Sequence, residues 1–244
     1  MLKPISPRRY QNPTEIPSTE TKSESLQSLR QLEPTSPKAH PAQLSKLESV
    51  QETQRASLCF DLENRPLAYW YDGQTTSEIT AFGWKWSDES DVQTMLLLPE
   101  NFYQCDDGSR IPYEMAHARF REVITSAGLV YGHNIRRHDL PMLNSWLIRL
   151  QLPTLPTLRT SDTLKDIPKR GHISASLENL AALYGLEGTK YHMPQPKWED
   201  ANQLTPDGVW LARKRVVSDV LLQERLRNKL RELELLKPPR MWNS

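Results

Sequence analysis

Long apolar runs and cysteine pairs are both missing from this sequence. No stretch approaches the roughly 18 apolar residues of a membrane helix, and the first residues lack the apolar segment of a secretory signal. The only two cysteines, Cys59 and Cys105, have no CxxC spacing, which excludes a disulfide framework and a thiolate zinc site. We therefore expect a protein of the reducing cytoplasm with no membrane partner.

A large excess of one charge is missing as well. The 244 residues include 31 Lys and Arg and 30 Asp and Glu, which leaves a formal net charge of +1 at pH 7. A protein that coats nucleic acid through its overall charge needs a large cationic excess. Nucleic-acid binding by this chain therefore requires a local basic path on one face.

Residues 1–56 differ in composition from the rest of the chain. They contain seven prolines, no glycine and a single aromatic residue, Tyr10. Such a segment buries too little apolar surface to offset the entropy lost on ordering, so we predict a disordered arm. Short leucine patterns at 26–32 and 44–47 are candidates for binding a protein partner, and a solvated tail is the alternative.

From residue 57 onward, strand and helix patterns alternate along the chain. Short apolar runs predict strands, and 3.6-residue periodicity that starts near a proline predicts helices. The predicted strands cover 57–63, 79–86, 91–98, 129–134 and about 158–164, and the predicted helices cover 112–128, 138–151, 176–185 and about 206–236. This order indicates an α/β domain over 57–236, with a mixed five-stranded sheet flanked by helices and a tail at 237–244.

Two acids end the first predicted strand. Asp61 and Glu63 lie two residues apart, so the pleat of a strand directs both carboxylates to the same face. Oxygen pairs of this kind suit hard divalent cations, and open α/β sheets place their sites at strand ends. The alternative is an ordinary pair of surface charges.

Two further acids occupy defined places on predicted helices. Asp139 lies in the first turn of a helix, where an acid is favoured with or without a function. Asp219 is bracketed by valines on the closing helix, where a buried acid needs a metal or a cationic partner. Arg215, one turn earlier, is the candidate partner, and neither explanation excludes the other.

Three segments in this order resemble a known set of motifs: FDLE at 60–63, GHNIRRHDLPML at 132–143 and RVVSDV at 215–220. They are similar to the three exonuclease motifs of the DEDD superfamily, the DnaQ-like 3′→5′ exonucleases with an RNase H-like fold. The resemblance covers about residues 57–235. Weaker marks around 162–164, 176–180 and 190–220 resemble a phage-encoded branch of that superfamily, which would place the protein in the host cytoplasm.

The resemblance implies a two-metal nuclease site. By that match, four acids are both the catalytic carboxylates and the ligands of two Mg²⁺ or Mn²⁺ ions: Asp61, Glu63, Asp139 and Asp219. The ions would bridge the scissile phosphate at the 3′ end of single-stranded DNA. The product would be nucleoside monophosphates, and the implied roles are DNA replication or repair.

One departure from the family pattern concerns the water-orienting residue. Members usually carry a His five positions, or a Tyr four positions, before the last Asp, whereas this chain has Lys214 and Arg215 there. His172, Tyr191 and His192 are candidates to replace it from loops. A catalytically weak or inactive nucleic-acid-binding module is therefore the alternative function.

Polar and basic residues near these motifs are candidates for substrate binding. Such groups contact the phosphates of a single strand, although solvated loop charges are the alternative for each. Three aromatic residues at 69–71 follow the first motif, where they would either stack a terminal base or cover a sheet edge. The predicted substrate-binding residues are Asn134, Arg136, Arg137, Lys169 and Arg215.

Overall fold

The computed structural model describes residues 55–67, 77–168, 173–186 and 190–244. Four sequence predictions fall on other residues: nearly all of the arm at 1–56, the aromatic group at 69–71, Lys169 and His172. These predictions lie outside the described part of the chain.

Over the described residues the chain forms eight strands and five helices. The strands are β1 (Arg55–Pro66), β2 (Ser77–Trp86), β3 (Gln93–Leu97), β4 (Phe102–Cys105), β5 (Arg110–Pro112), β6 (Ala127–Gly132), β7 (Leu158–Asp162) and β8 (Arg240–Trp242). The helices are α1 (Tyr113–Thr125), α2 (Asp139–Arg149), α3 (Leu177–Leu183), α4 (Gln195–Gln203) and α5 (Pro206–Glu232).

All eight strands belong to one mixed sheet, in the order β5-β4-β3-β2-β1-β6-β7-β8. Strands β1 to β5 form an antiparallel meander, β1, β6 and β7 are parallel, and β8 pairs antiparallel with β7. The predicted mixed α/β fold of the RNase H-like kind is confirmed. The sheet has eight strands rather than five, because β4, β5 and β8 are too short to show an alternating pattern.

Besides β4 and β5, strand β8 and helix α4 arise where the sequence predicted no regular structure. Strand β8 lies within 237–244, the predicted tail, and extends the sheet by pairing with β7. Helix α4 was not expected, because its sequence QPKWEDANQ buries only Ala201 and so has no apolar stripe. Both elements depend on packing against neighbours rather than on a local pattern.

The four predicted helices appear as α1, α2, α3 and α5, within a few residues of their expected bounds. Helix α5 begins at a capped turn, since the hydroxyl of Thr205 accepts a hydrogen bond from the Gly208 N–H at 3.0 Å. Among the described residues, each helix is too short or too polar to span a bilayer.

One face of the sheet carries an aromatic core beneath α1. The ring centroid of Phe120 on α1 lies 5.8 Å from that of Phe60 on β1 and 4.6 Å from that of Phe82 on β2. All three rings are fully buried, and each such burial stabilises the fold by about 1.5–3 kcal/mol. Because strand side chains alternate, Phe60 in this core sends its neighbours Cys59 and Asp61 to the opposite face.

Helix α5 covers that opposite face at close range. Its Val216 packs against Ala81 of β2, and a Cβ atom on Gly83 would lie 2.6 Å from Cγ2 of Val216. Small residues at these two positions therefore let the helix approach the sheet. Ala81 and Gly83 pair with Glu63 and Asp61 of β1, so the same contact brings α5 up to both acids.

Candidate active site

The carboxyl-terminal half of β1 supplies two carboxylates to the face under α5. Leu62, between Asp61 and Glu63, lies in the aromatic core on the other face. The pairing register with β2 shifts directly after Glu63, and pairing then continues to Pro66. The two acids therefore lie side by side just before this irregularity in the strand.

Asp219 of α5 meets these two acids across the interface between helix and sheet. One carboxylate oxygen from each of Asp61, Glu63 and Asp219 lies within 4.8 Å of the other two. Divalent cations hold carboxylate oxygens at about 2.0–2.6 Å, so oxygens at this spacing fit around a single ion. The donor set, oxygen atoms of three carboxylates, is the chemistry that Mg²⁺ and Mn²⁺ prefer.

Asp139 is the fourth acid of the same cleft. It begins α2, is 2% exposed, and lines the cleft together with the other three. Its Oδ1 atom accepts a hydrogen bond from the Leu62 backbone N–H at 3.2 Å, which joins α2 to β1. We call Asp61, Glu63, Asp139 and Asp219 the acidic cluster.

Burial raises the pKa of every member of the acidic cluster, and repulsion from neighbouring carboxylates adds to the shift in Asp61, Glu63 and Asp139. Burial, with repulsion from Asp219 added, raises the pKa of Glu63 to about 8. Burial raises the pKa of Asp139 to about 7, although backbone N–H donors oppose the shift. The pKa of Asp61 and that of Asp219 are also raised, mainly by burial. Bound cations would reverse these shifts, so the cluster has a strong affinity for positive charge.

Two cations of the chain itself contact the acidic cluster. The Nε atom of Arg215 lies 3.2 Å from Oδ2 of Asp219 and 3.5 Å from Oε1 of Glu63. The Nζ atom of Lys190 lies 3.0 Å from the same Oδ2 of Asp219. The pairing of Arg215 with Asp219 was one of the two explanations that the helical spacing left open. Lys190 comes from the segment before α4, and the sequence assigned it no role at the site.

Gln223 holds one member of the cluster in place. Its Nε2 donates to Oδ1 of Asp61 at 2.7 Å, and its Oε1 accepts from the His133 backbone N–H at 3.2 Å. A Cβ atom on Gly132 would lie 2.7 Å from Oε1 of Gln223, so only glycine leaves room for this amide. The sequence analysis missed Gln223. The available signal was its spacing of four residues from Asp219, on the same side of α5.

The loop between β6 and α2 is organised by two acids outside the cluster. Asp162 accepts hydrogen bonds from the backbone N–H groups of Asn134 at 2.9 Å and of Arg136 at 3.1 Å. The Arg136 guanidinium donates to both carboxylate oxygens of Asp166, at 2.7 and 2.9 Å, and to the hydroxyl and carbonyl oxygens of Thr160. These contacts engage the whole guanidinium, so Arg136 has a structural role here rather than an open face toward a substrate.

The other predicted substrate contacts take different positions. Asn134 lines the cleft, with a left-handed backbone at φ 68° that the Asp162 carboxylate supports. Arg137 is exposed and is not among the described residues that line the cleft. Arg215 lines it directly.

No predicted replacement for the water-orienting residue reaches the cleft among the described residues. The Tyr191 hydroxyl accepts from Nζ of Lys197 at 3.0 Å, His192 is exposed, and His172 lies outside the described part of the chain. Lys214 stacks on Trp210, with Nζ 3.6 Å from the ring centroid. The imidazoles that do line the cleft there belong to His133 and His138.

The acidic cluster forms the floor of an open cleft of about 430 Å³. Its walls come from the end of β1, the loop after β6, and the starts of α2 and α3, together with α5 and Lys190. The cleft therefore has room for a phosphate and part of a nucleotide above a set of metal-type ligands.

Comparison with known proteins finds similarity in structure and none in sequence. The sequence matches no known family profile and no curated protein. The fold is similar to that of the family B DNA polymerase from the hyperthermophilic archaeon Pyrobaculum calidifontis, with a TM-score of 0.51 and 14% sequence identity. The match covers 71% of this chain and 24% of the polymerase chain. The chain thus spans about a quarter of that protein, and at this identity the likeness shows the fold alone.

Proposed function

We propose that this protein is a metal-dependent 3′→5′ exonuclease that hydrolyses single-stranded DNA and releases nucleoside monophosphates. The observation that carries the proposal is the meeting of Asp61, Glu63 and Asp219 within 4.8 Å, with Asp139 in the same cleft. The resemblance of the three ordered motifs supports the 3′→5′ direction. The likeness of fold to a protein that is a DNA polymerase supports a nucleic-acid substrate.

In the proposed reaction, different residues of the cleft would bind the metal ions and orient the metal ligands. Two Mg²⁺ or Mn²⁺ ions would polarise the scissile phosphate and lower the pKa of the attacking water. Asp61, Glu63 and Asp219 supply ligand oxygens from a rigid strand and helix. Gln223 orients the Asp61 carboxylate by the hydrogen bond at 2.7 Å, as donors behind metal ligands do in known sites.

Arg215 acts as a fixed positive charge and never as a base. A guanidinium stays protonated throughout the physiological range, so it can bind a phosphate oxygen but cannot accept a proton from water. Its N–H group also donates to the Tyr191 carbonyl oxygen, which fixes its position beside Glu63 and Asp219. Activation of the attacking water would therefore come from the bound metal ions rather than from Arg215, and the hydrolysis rate should rise with pH.

The same cations support a second candidate function, a nucleic-acid-binding module without catalysis. Lys190 and Arg215 lie against Asp219 at 3.0 and 3.2 Å, so they neutralise part of the cluster without any metal. With Lys190 and Arg215 paired to the cluster and no metal bound, the site would bind a phosphate backbone through these cations and would not hydrolyse it. Catalysis requires metal ions to displace these contacts.

The decisive experiment is a hydrolysis assay on a 5′-labelled single-stranded oligonucleotide with Mn²⁺ or Mg²⁺. A ladder of products that shorten from the 3′ end, absent in EDTA, is the expected result. The matched control is Asp61→Asn/Asp219→Asn, which keeps the shape of the cluster and removes two charges. Products of equal yield from this variant would show that a contaminant or another site cuts the strand, and binding without any product would favour the second function.

A further inference from the structure

Aromatic and basic side chains alternate on the surface formed by α4 and the start of α5. The Nζ atom of Lys214 lies 3.6 Å from the ring centroid of Trp210 and 5.4 Å from that of Tyr191. On the other side of Tyr191, Nζ of Lys197 lies 5.1 Å from the ring centroid and donates to the hydroxyl. We call these four residues the aromatic-basic strip.

The strip leads directly to the acidic cluster. The backbone of Tyr191 is anchored on α5, because its N–H donates to the Ser218 hydroxyl at 3.0 Å and its carbonyl accepts from Arg215. Arg215 contacts Asp219, and so does Lys190, the residue before Tyr191 in the chain. A strand of nucleic acid that leaves the cleft over these two cations therefore reaches Tyr191 first, then Lys214 and Trp210.

Core packing accounts for only part of the strip: Tyr191 packs against a buried cluster formed by Met193, Ala201 and Leu211, whereas Trp210 and the two lysines lie outside that cluster. Trp210 is 51% exposed, an unusual state for the largest apolar side chain. Within the described residues, the contacts of Lys197 and Lys214 are to aromatic rings and to the Tyr191 hydroxyl, and neither lysine pairs with a carboxylate. Both positive charges therefore remain available to an anionic ligand.

We propose that the aromatic-basic strip binds single-stranded nucleic acid on its way to the acidic cluster, and this inference rests on the proposed function. Aromatic faces stack bases of any sequence, and lysines between them hold the phosphates. Residues 190–215 contain five Lys and Arg against three Asp and Glu, a local excess in a chain of net charge +1. The local basic path that a nearly neutral chain requires for nucleic-acid binding lies here.

The test measures the binding of a 5′-fluorescein oligothymidylate by fluorescence anisotropy in EDTA, where no metal supports hydrolysis. The variants are Trp210→Ala and the double variant Lys197→Ala/Lys214→Ala. The controls are Phe102→Ala and Arg110→Ala, an exposed aromatic residue and an exposed cation on β4 and β5 at the far edge of the sheet. The melting temperature of each variant is first compared with that of the wild type, and only variants with an unchanged value are used.

We expect Trp210→Ala to weaken binding by about 5-fold to 150-fold, the effect of losing one stacked base. The double lysine variant should lower the slope of log K against log salt by about 1.4, since each phosphate contact with a single strand contributes about 0.7. Both controls should bind like the wild type.

Failure of this inference is distinct from failure of the proposed function. If the wild type binds and shortens the strand while Trp210→Ala and the double variant keep its affinity and salt slope, the strip is not the binding surface. Equal losses in the Phe102→Ala and Arg110→Ala controls would overturn it as well. If strip variants instead lose binding only to vesicles that contain phosphatidylserine, the strip is a lipid-binding surface and the inference is wrong. A wild type that neither binds nor cuts the strand refutes the proposed function, and this inference with it.

Discussion

Two groups of buried acids lie at the same end of the sheet and are stabilised in opposite ways. In the first group, Asp162 accepts hydrogen bonds from the backbone N–H groups of four residues, those at 134, 136, 164 and 165. Asp166 accepts two bonds from Arg136 and one from the Asp162 N–H. Asp162 therefore has four donors and Asp166 has three, against about four acceptor sites on each carboxylate.

The second group is the acidic cluster, which has far fewer donors. Asp61 accepts one hydrogen bond from Gln223, and Asp139 accepts one from the Leu62 N–H. Glu63 and Asp219 depend mainly on contacts with the side chains of Arg215 and Lys190 rather than on backbone donors. Burial without enough donors is the reason that the pKa of each acid in this group is raised.

The number of hydrogen-bond donors thus distinguishes carboxylates that stabilise the fold from carboxylates that are suited to bind a ligand. A carboxylate that is satisfied by the backbone gains nothing from a metal ion. A carboxylate that shares two side-chain cations with its neighbours gains more, because its oxygens still lack donors. Burial alone does not distinguish Asp139 and Asp219 from the first group, since Asp139, Asp162, Asp166 and Asp219 are each at most 3% exposed, whereas Asp61 and Glu63 are half-buried.

The same substitution in the two groups should have opposite effects. Asp61→Asn should lower the hydrolysis rate by about 10³-fold or more, because metal ions contribute several kcal/mol to such reactions. Its melting temperature in EDTA should be unchanged or higher, because one charge leaves a crowded cluster. Asp162→Asn should lower the melting temperature instead, since the amide NH₂ faces backbone donors. A loss of stability in Asp61→Asn equal to that in Asp162→Asn would remove the distinction.

Loss of the cation that satisfies the first group should destabilise the fold. Arg136→Ala leaves the fully buried Asp166 without its bidentate partner, and breaking a buried pair in this way costs about 3–5 kcal/mol. Urea denaturation measures the change in free energy of unfolding. Arg137→Ala, at the exposed neighbouring position, is the matched control and should change stability by about 0.5 kcal/mol or less. Equal stability of the two variants would contradict the structural role of Arg136.

The metal affinity of the second group should depend on the hydrogen bond from Gln223 that orients Asp61. Gln223→Leu removes the hydrogen bond to Asp61 and should weaken Mn²⁺ binding by about 10-fold to 100-fold, as in other sites that lose a residue behind the ligands. Isothermal titration calorimetry with Mn²⁺ measures this. Gln203→Leu on the exposed end of α4 is the control and should bind Mn²⁺ as the wild type does. Unchanged affinity in Gln223→Leu would show that Asp61 needs no orientation.

The pH dependence of stability should be set by the second group in the absence of metal. Raised carboxyl pKa values, about 8 for Glu63 and about 7 for Asp139, mean that the folded state holds protons that the unfolded chain releases near pH 4. Stability should therefore fall as the pH rises from about 5 to 8. We expect the melting temperature in EDTA to drop by a few degrees over this range, and Asp61→Asn to reduce the drop. A melting temperature that rises with pH in EDTA would contradict the raised pKa values.

The sequence by itself determined the main strands, four of the helices and the order of the acids. These features depend on local patterns: the period-2 alternation of β1 sends Phe60 to one face and Asp61 with Glu63 to the other, and apolar periodicity marks α1 and α5. The sequence did not predict the short strands β4, β5 and β8, because they contain too few residues for an alternating pattern.

Only the tertiary structure decided which partners each charged side chain has. Lys190 and Gln223 join the acidic cluster, and Arg136 turns to Asp166, through contacts between residues that are 29 to 162 positions apart. The contacts of Asp219 and Gln223 depend on how closely α5 packs on the sheet, which Gly83 and Val216 set together. A local pattern encodes the face on which a residue lies, whereas its neighbour across that face is determined by long-range packing.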